Sequence, residues 1–371
     1  MEQKIITARD NYIELDEWFV GKKNVFLVCG NSIKYLKAFR RHLEELQAKG
    51  VNIIRFSGFQ PNPLYENVIE GMKLFKEAKC DSIMAVGGGS SMDVAKCIKL
   101  FSNMAGDGSN GRYLEQEIIP NGIPFLAMPT TAGTGSEATR YAVIYYQGAK
   151  QSVINESAIP GTVLLDPTPL KTLSLYQKKA TMMDALCHAI ESLWSVNSTE
   201  ESKGYSETAI KAVTDHKEGY LGNTDKGNEG MLIAAFIAGR AINITQTTAG
   251  HAMCYKITSL YGFAHGHAAA LCVRTLYPWM IKHTNQCSDL RGKDYLMRTL
   301  DEIGRAMGCK DADGGARKLY ELFESLELDV PTVSDLQYEE LRNSVNPVRL
   351  RNHPIALDLD IIDALYHEIL R

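Results

Sequence analysis

The first half of the chain alternates short apolar runs with longer segments in which apolar residues recur every three or four positions. The apolar runs lie at 24–30, 51–58, 81–90 and 123–130. The periodic segments lie at 33–50, 63–80 and 91–104. Short runs rich in β-branched residues are typical of buried strands, and the longer period is typical of amphipathic helices. The alternation therefore predicts a parallel sheet covered by helices.

The pattern changes at about residue 165. Pro167 and Pro169 follow a last apolar run, and beyond them the strand signals nearly vanish. The remaining periodic segments lie at 176–196, 201–214, 227–246, 249–260, 265–284, 292–307, 312–326, 336–344 and 358–370. A chain of 371 residues is also long for a single core. We therefore predict an α/β domain at 1–165 and an all-helical domain at 166–371.

Composition and charge narrow the classes of partner. The net charge of −4 provides no concentrated basic surface for a nucleic acid. No apolar stretch reaches the roughly 20 residues that span a bilayer, and the N-terminal sequence lacks the apolar core of a secretory signal. The eight cysteines form no CxxC pair. We expect reduced thiols, a cytoplasmic location, and neither a membrane nor a nucleic-acid partner.

A glycine-rich turn, "VGGGSSMDVAK" at 86–96, joins a predicted strand to a predicted helix. Its glycines are Gly87, Gly88 and Gly89. They let a ligand approach the backbone, and the helix N-terminus offers unpaired N–H groups that suit a phosphate. Ser90 can add a donor, and Asp93 can cap the helix or orient a ligand hydroxyl. The spacing matches neither GxGxxG nor the P-loop, so a tight strand-to-helix corner is the alternative.

A second strand-to-helix junction, "PTTAGTGSEAT" at 129–139, is rich in hydroxyl groups. They belong to Thr130, Thr131, Thr134, Ser136 and Thr139. In an open α/β sheet, two loops at the carboxyl ends of strands flank one crevice. The two junctions together favour a bound phosphate or nucleotide.

Four residues of the second half suit a metal. Asp184 and His188 lie four apart on a predicted helix and leave the same face, among apolar neighbours. A glycine between His251 and His265 permits a turn that returns His265 toward His251. One carboxylate and three imidazoles are suitable ligands for Fe²⁺ or Zn²⁺. The alternative for Asp184 and His188 is a capped or solvated pair, and for a lone histidine it is a satisfied place in the core.

Five motifs together resemble the iron-containing (group III) alcohol dehydrogenases. They are "GGGSSMDVAK", "PTTAGTGSE", "LLDP", "MDALCHAIES" and "GHAMCYKITSLYGFAHGHA", and they match the family in order and spacing between about residues 20 and 285. The resemblance implies a Rossmann-like domain followed by a helical domain, in the dehydroquinate synthase-like architecture. It also implies a homodimeric NAD(P)-dependent enzyme with Fe²⁺ or Zn²⁺. The family's metal ligands would fall on Asp184, His188, His251 and His265.

The resemblance also implies the cofactor contacts. The glycine turn would hold the pyrophosphate, and Lys150 would lie beside the ribose. The residues along the cofactor would be Thr130, Thr131, Thr134 and Thr139. NAD-preferring relatives usually carry an aspartate after the first predicted strand, at 24–30, where this chain has Gly30. Ser32 and Lys34 would then bind a 2′-phosphate, so we expect NADP(H) over NAD(H); the alternative is that Lys34 is a solvated helix residue.

One position departs from the family pattern near the proposed chemistry. Many relatives have a second histidine four residues after the one at 251, close to the nicotinamide, and this chain has Tyr255 there. Tyr255 and His267 are therefore the candidates for catalytic proton transfer. For His267 a supporting or packing role is an equal alternative.

The substrate is indicated by similarity to one subgroup of the family. "TTAGHAMCYKITSLYGFAHGHAAAL" and "VNPVRLRNHPIAL" look similar to members that reduce phosphonoacetaldehyde to 2-hydroxyethylphosphonate. The metal would polarise the carbonyl, and the nicotinamide would transfer hydride. Candidate cations for the phosphonate are Arg140, Lys256, Arg349 and Arg351, each of which could instead form a structural ion pair. The alternatives are a general short-chain alcohol dehydrogenase or aldehyde reductase, a dehydroquinate synthase-like lyase, and a metal-binding protein without catalysis.

Overall fold

The computed structural model describes residues 2–9 and 11–371, which form two compact units. The first unit comprises Met1–Thr131 and Gly135–Leu173, and the second comprises Ala132–Thr134 and Ser174–Arg371. The main division therefore falls later than the predicted position near residue 165, and the short segment 132–134 was not foreseen. Among the described residues, no helix combines the length and the apolar character that crossing a membrane requires.

The described residues of the first unit form eight strands. They are β1 (Lys4–Thr7), β2 (Asn24–Cys29), β3 (Asn52–Phe56), β4 (Ser82–Gly87), β5 (Phe125–Pro129), β6 (Tyr141–Tyr146), β7 (Ala149–Ile154) and β8 (Thr162–Leu165). Six of them form a parallel sheet in the order β1-β8-β5-β4-β2-β3, and β6 pairs with β7 as an antiparallel hairpin. Every residue of β4 and β5 is buried, as expected for central strands of a sheet that is covered on both faces. The predicted parallel α/β domain is confirmed.

The part of this unit that the structure describes also contains four α-helices. They are α1 (Asp16–Phe19), α2 (Lys37–Ala48), α3 (Tyr65–Glu77) and α4 (Gly89–Phe101). The periodic segment at 33–50 divides into a 3-10 turn, Asn31–Tyr35, and α2. One face of the sheet packs on an aromatic cluster in which the rings of Phe26 and Phe75 meet edge to face at 5.5 Å. The predicted segments between the strands are thus helical, with shifts of a few residues at their ends.

The second unit is helical throughout its described regular structure. Its helices are α5 (Leu175–Trp194), α6 (Glu200–Leu221), α7 (Asp225–Thr245), α8 (Ala249–Tyr261), α9 (His265–Lys282), α10 (Lys293–Ala306), α11 (Ala312–Ser325), α12 (Asp335–Ser344), α13 (Pro347–Leu350) and α14 (Leu359–Ile369). The prediction of an all-helical second half is confirmed. The largest difference in length is in α6, which continues to Leu221 instead of ending near 214.

Helix α5 runs through the middle of this unit and packs against α6, α7 and α9. Its approach to α9 is unusually close because residue 266 has no side chain. A Cβ atom on Gly266 would lie 2.0 Å from the carbonyl oxygen of Ala180 and 2.5 Å from the Cβ atom of Asp184. This close approach brings the first turn of α9 against the part of α5 that carries Asp184.

Candidate metal centre and glycine turn

Three helices supply the side chains of the candidate metal centre. Asp184 and His188 lie one turn apart on α5, whose first turn is capped by the hydroxyl of Ser174. His251 lies in the first turn of α8, and His265 is the first residue of α9. The turn between these two helices contains Gly262 in the left-handed region, with φ of 68°. It provides the reversal that returns His265 toward His251.

The ligand atoms of Asp184, His188 and His251 all lie within 4.8 Å of one another, and all three residues are buried. Asp184 Oδ1 is 3.5 Å from His251 Nε2 and 4.0 Å from His188 Nε2. The rings of His188 and His251 stack with their centroids 4.4 Å apart. His265 borders this group of three, with its ring centroid 5.2 Å from that of His251. The structure thus gathers three of the predicted ligands closely and places the fourth beside them.

The residues present fit a divalent metal ion. Within residues 2–9 and 11–371, Asp184 Oδ1 and His251 Nε2, which lie 3.5 Å apart, are buried atoms that make no hydrogen bond. A buried polar atom without a partner costs about 1–3 kcal/mol. A cation held among these side chains would offset that cost, and a carboxylate with imidazoles is a donor set that Fe²⁺ and Zn²⁺ accept.

The charges within the cluster determine which candidate ligands are ready to bind a metal and which must first lose a proton. Burial raises the pKa of Asp184, but the neighbouring imidazoles, His188 foremost, outweigh burial and hold it below the ordinary range. Burial lowers the pKa of His188 to about 4, which keeps that ring neutral and able to donate a lone pair. Burial also lowers the pKa of His251, but the carboxylates of Glu191 and Asp184 more than reverse this and raise it to about 9.

Glu191, which the sequence analysis did not select, orients His251. Its carboxylate is fully buried and accepts hydrogen bonds from the backbone N–H of Thr248 at 2.9 Å and from the Thr248 hydroxyl at 2.7 Å. It also accepts a hydrogen bond from Nδ1 of His251. This contact places the ring proton on Nδ1 and turns Nε2 toward Asp184, an arrangement common among metal-bound histidines.

A signal for Glu191 was present in the sequence. It follows Asp184 by seven residues and His188 by three, so all three leave the same face of α5. Burial raises its pKa, and His251 and Thr248 more than offset burial and lower it to about 2. The carboxylate is therefore ionised wherever the protein is folded at ordinary pH.

Tyr255 and Arg349 extend the centre on the side of His265. The ring of Tyr255 stacks on that of His265, with centroids 5.4 Å apart and planes inclined by 17°. Arg349 donates from Nη1 to the Tyr255 hydroxyl at 2.9 Å, and its guanidinium carbon lies 5.0 Å from the centre of the tyrosine ring. Cys254 Sγ lies 3.7 Å from Nδ1 of His265. The ring of Tyr255 thus connects the guanidinium group of Arg349 to the candidate metal ligand His265.

The other predicted cations have different surroundings. Lys256 forms an ion pair with Glu340 at 2.6 Å, and Arg351 is exposed. Arg140 lies in the first unit and forms an ion pair with Glu156. Lys256 and Arg140 thus form ion pairs within the protein, which was the alternative to binding a phosphonate.

His267 is held from both ends of its ring. Its Nε2 is 2.8 Å from the carbonyl oxygen of Asp329, and its Nδ1 is 3.2 Å from the hydroxyl of Tyr176. Because a carbonyl only accepts, Nε2 carries the proton, and Nδ1 accepts from Tyr176. Phe263 stacks on the ring at 4.2 Å, and the residue is 1% exposed. These contacts favour the supporting role of His267 over proton transfer.

In the first unit, the glycine turn and the hydroxyl-rich segment lie side by side. Strand β4 ends at Gly87 and α4 begins at Gly89, while Pro129 at the end of β5 is in register with Gly87. The N–H of Thr130 donates to the Gly87 carbonyl at 3.0 Å. A Cβ atom on Gly88 would lie 3.3 Å from Oγ1 of Thr131. The two junctions therefore form one continuous edge, as the topology of a parallel sheet requires.

The other predicted cofactor residues occupy different places in this unit. Gly30 is half-buried at the end of β2, which neighbours β4, and the following Ser32 and Lys34 are exposed. Lys150 lies on β7, and its charge lowers the pKa of Asp93, although burial is the larger effect and raises that pKa to about 6. Thr139 is 3% exposed, and its hydroxyl accepts from Lys96 at 3.1 Å.

Comparisons with known proteins identify the family of this arrangement. The family described as iron-containing alcohol dehydrogenase matches residues 2–167, and the C-terminal part of the Fe-containing alcohol dehydrogenase family matches residues 178–344. Alcohol dehydrogenase 4 of Schizosaccharomyces pombe is 30% identical over 250 residues, which are 66% of this chain and 59% of the relative. The chain thus spans less than two thirds of the length of that relative.

Two further similarities concern proteins whose substrates carry an acidic group. A phosphonoacetaldehyde reductase of Streptomyces viridochromogenes is 27% identical over 306 residues, which are 78% of this chain and 76% of the relative. The crystal structure of a sulfoacetaldehyde reductase from Bifidobacterium kashiwanohense in complex with NAD+ superposes with a TM-score of 0.87 at 23% identity, and it covers 99% of this chain and 97% of that one. The similarity to the sulfoacetaldehyde reductase structure shows that the two proteins share a fold.

Proposed function

Because the chain belongs to the iron-containing alcohol dehydrogenase family, we propose that it is a metal-dependent oxidoreductase acting between a nicotinamide cofactor and a small aldehyde or primary alcohol. The observation that carries the proposal is the buried cluster of Asp184, His188 and His251 with its unsatisfied ligand atoms. When bound, a divalent metal supplies Lewis acidity at the substrate oxygen, and the nicotinamide supplies or accepts hydride.

The residues of the chain hold and orient the reacting groups. Asp184, His188 and His251 would hold the metal together with the neighbouring His265, and Glu191 fixes the ring of His251. The N-terminus of α4 would bind the pyrophosphate through backbone N–H groups, with the glycine turn allowing close approach. Tyr255 is our candidate for proton transfer. Its oxygen accepts from Arg349, so the phenol proton is not used in that contact.

The test combines cofactor oxidation with metal analysis. We expect NAD(P)H to be consumed with a small aldehyde in proportion to bound metal, and activity to be lost on chelation and restored by Fe²⁺ or Zn²⁺. A dehydroquinate synthase-like lyase would regenerate its cofactor and show no net consumption. Full activity after metal removal would refute the proposal. A homodimer remains a prediction from the family resemblance.

NADP(H) is the cofactor that we propose. Exposed Ser32 and Lys34 follow Gly30 at the carboxyl end of β2, so no carboxylate at position 30 would repel a 2′-phosphate. We expect a higher kcat/KM for NADPH than for NADH. Lys34→Ala should reduce that preference, whereas Lys37→Ala, on the exposed first turn of α2, should leave it unchanged. An equal preference before and after Lys34→Ala would exclude this assignment.

For the substrate, we propose an aldehyde with an anionic group, phosphonoacetaldehyde being the specific candidate and 2-hydroxyethylphosphonate its product. The support is Arg349, which donates to the hydroxyl of Tyr255, whose ring stacks on the candidate ligand His265. A guanidinium presents five N–H donors in a plane that matches phosphonate oxygens. The two reductases of acidic aldehydes described above agree with this choice.

Substrate comparison decides between this candidate and a general short-chain aldehyde reductase. Arg349→Ala should lower kcat/KM for phosphonoacetaldehyde by about tenfold or more, the effect of one charge-assisted hydrogen bond, and should spare propanal. Arg298→Ala, at an exposed position on α10, serves as the matched control. Equal turnover of propanal and phosphonoacetaldehyde by the unmodified protein would favour the general reductase.

A further inference from the structure

Lys96 is a fully buried lysine on α4, the helix whose first residue ends the glycine turn. Its ammonium donates to the carbonyl oxygen of Ser136 at 2.7 Å, to the Ser136 hydroxyl at 3.0 Å and to the Thr139 hydroxyl at 3.1 Å. The carbonyl oxygen of Tyr141 is a fourth acceptor, at 2.7 Å. Four acceptors exceed the three hydrogens of an ammonium group, so the side chain is fully engaged within the protein.

Three of the four acceptors lie in a segment with little regular structure, and the fourth, the carbonyl oxygen of Tyr141, belongs to the first residue of β6. Ser136–Ala138 is a single 3-10 turn that follows Gly135, whose φ is 58°, and the chain is extended at Thr139 before β6 begins. The carbonyl oxygen of Ser136 also accepts from the N–H of Thr139 at 3.1 Å, which closes the turn. Lys96 adds a charged donor that ties this turn to α4.

Two carboxyl groups complete the surroundings of Lys96. Asp93, one turn earlier on α4, accepts from the Ser136 hydroxyl at 3.3 Å, and Glu137 is 2% exposed. Burial lowers the pKa of Lys96 to about 8, while the charges of Asp93 and Glu137 oppose that effect. Burial raises the pKa of Asp93 to about 6 and that of Glu137 to about 7. Above these values the two carboxylates help to keep the ammonium group charged, which strengthens its hydrogen bonds to the segment.

The same segment touches the glycine turn at its other end. Thr130 donates to Gly87, and Thr131 lies against Gly88, as described above. The hydroxyl-rich segment is therefore attached to the glycine turn at its start and to the body of α4, through Lys96, at its end. A change at Lys96 would free the far end of the segment while leaving the glycine turn itself intact.

We propose that Lys96 is a positioning residue for the cofactor, which fixes the hydroxyl-rich segment against α4 and so sets the affinity for NAD(P)H. The inference rests on the proposed function. Lys96 does not contact the cofactor in this proposal, since its side chain is buried and its hydrogens are used. It acts through the placement of the segment that contains Thr130 and Thr131.

Lys99 offers a matched control on the same helix. It is 4% exposed and donates to the carbonyl oxygen and the side-chain oxygen of Asn121, at 3.1 and 3.2 Å. Asn121 lies in the loop before β5, not in the segment after it. Lys99→Met therefore removes an equally buried ammonium group without releasing the hydroxyl-rich segment.

The experiment compares Lys96→Met and Lys99→Met in the metal-loaded full chain. NADPH affinity is measured by fluorescence titration, alongside metal content, thermal unfolding, and kcat and KM for the aldehyde. We expect Lys96→Met to raise the Kd and KM for NADPH about tenfold or more, with metal content, aldehyde KM and kcat at saturating cofactor retained. Lys99→Met should change the Kd less than about threefold.

A second variant keeps the proposal testable where Lys96→Met does not fold. Ser136→Ala removes one acceptor of Lys96 and should raise the Kd for NADPH about threefold. An unchanged Kd in a folded Lys96→Met or Ser136→Ala protein, or an equal rise in Lys99→Met, would overturn the positioning role. If the unmodified protein binds neither NADPH nor NADH, the proposed function fails instead.

Discussion

Glu191→Gln should weaken metal binding while leaving the protein folded. In the structure, one carboxylate serves the Thr248 N–H, the Thr248 hydroxyl and Nδ1 of His251. A glutamine has one acceptor oxygen and one NH2 group, so it cannot serve all three. If its oxygen accepts from Thr248, its NH2 group faces Nδ1 of His251. That ring must then move its proton to Nε2, the atom that faces Asp184 and that a metal requires.

The expected magnitude follows from the kind of contact that is lost. Removing a partner that orients a metal-bound histidine weakens metal affinity about 10–100-fold, which corresponds to about 1.4–2.7 kcal/mol. The assay is a competition for Zn²⁺ between the apoprotein and a colorimetric chelator, with circular dichroism on the same samples to establish folding. Activity is measured only after the affinity is known, so that loss of metal and loss of catalysis are not confused.

Asp166→Asn is the matched control. Asp166 is also a carboxylate with 0% exposure, and it accepts from the N–H and the hydroxyl of Thr168 at 2.8 and 2.7 Å, in the first unit. Its loss should lower thermal stability without changing Zn²⁺ affinity. An unchanged Zn²⁺ affinity in folded Glu191→Gln would show that the Glu191–His251 contact does not orient a ligand, and our account of the centre would be wrong.

Three further variants test other parts of the centre, and a fourth, Gly204→Ala, is the control for one of them. His265→Ala should lose bound metal and activity together, measured by elemental analysis and NADPH oxidation; full activity after this change would remove His265 from the ligand set. Gly266→Ala should destabilise the protein by about 1–3 kcal/mol in denaturant unfolding because its Cβ would meet α5 at 2.0 Å. Gly204 lies at an exposed position of α6, where a Cβ atom would meet nothing within 4 Å. Gly204→Ala should therefore stabilise the protein by about 0.5–1 kcal/mol. Tyr255→Phe should lower kcat about 100-fold at unchanged metal content, and an unaffected kcat would exclude Tyr255 from proton transfer.

The elements that were predicted correctly are those with a strong local pattern. Strands β2, β4 and β5 are almost wholly buried, largely apolar runs, and β3 carries Ile53, Ile54 and Phe56 among exposed polar residues. The helices between these strands keep one apolar face. The β6–β7 hairpin was missed, although Gln147 and Gly148 at its turn both have positive φ, of 50° and 75°. Such a turn is a known hairpin signal. Strand β1 has four residues, and three of them are exposed. Its formation therefore depends on pairing with β8, in which each partner residue lies 158 positions later in the chain.

For the site, the sequence predicts which side chains share a face of one helix, but it does not predict contacts between residues far apart in the chain. The four-residue spacing of Asp184 and His188 placed them together, and the same reasoning extended by one more turn would have reached Glu191. The contact of Arg349 with Tyr255 joins residues 94 positions apart through the short α13, which had no periodic signal. Similarly, nothing local indicates that His267 meets Asp329. These partners are determined by tertiary packing.

Ala132–Thr134 has a consequence for any attempt to divide the protein. The tripeptide groups with the second unit, although the chain on either side of it belongs to the first. A Cβ atom on Gly133 would lie 2.9 Å from the carbonyl oxygen of Thr181, on the helix that bears Asp184 and His188. A gene fragment that begins at Ser174 would therefore encode the ligands but omit part of their support. A chimera that exchanges the helical half between relatives therefore has to exchange residues 132–134 as well. A single crossover near residue 174 does not separate the two units.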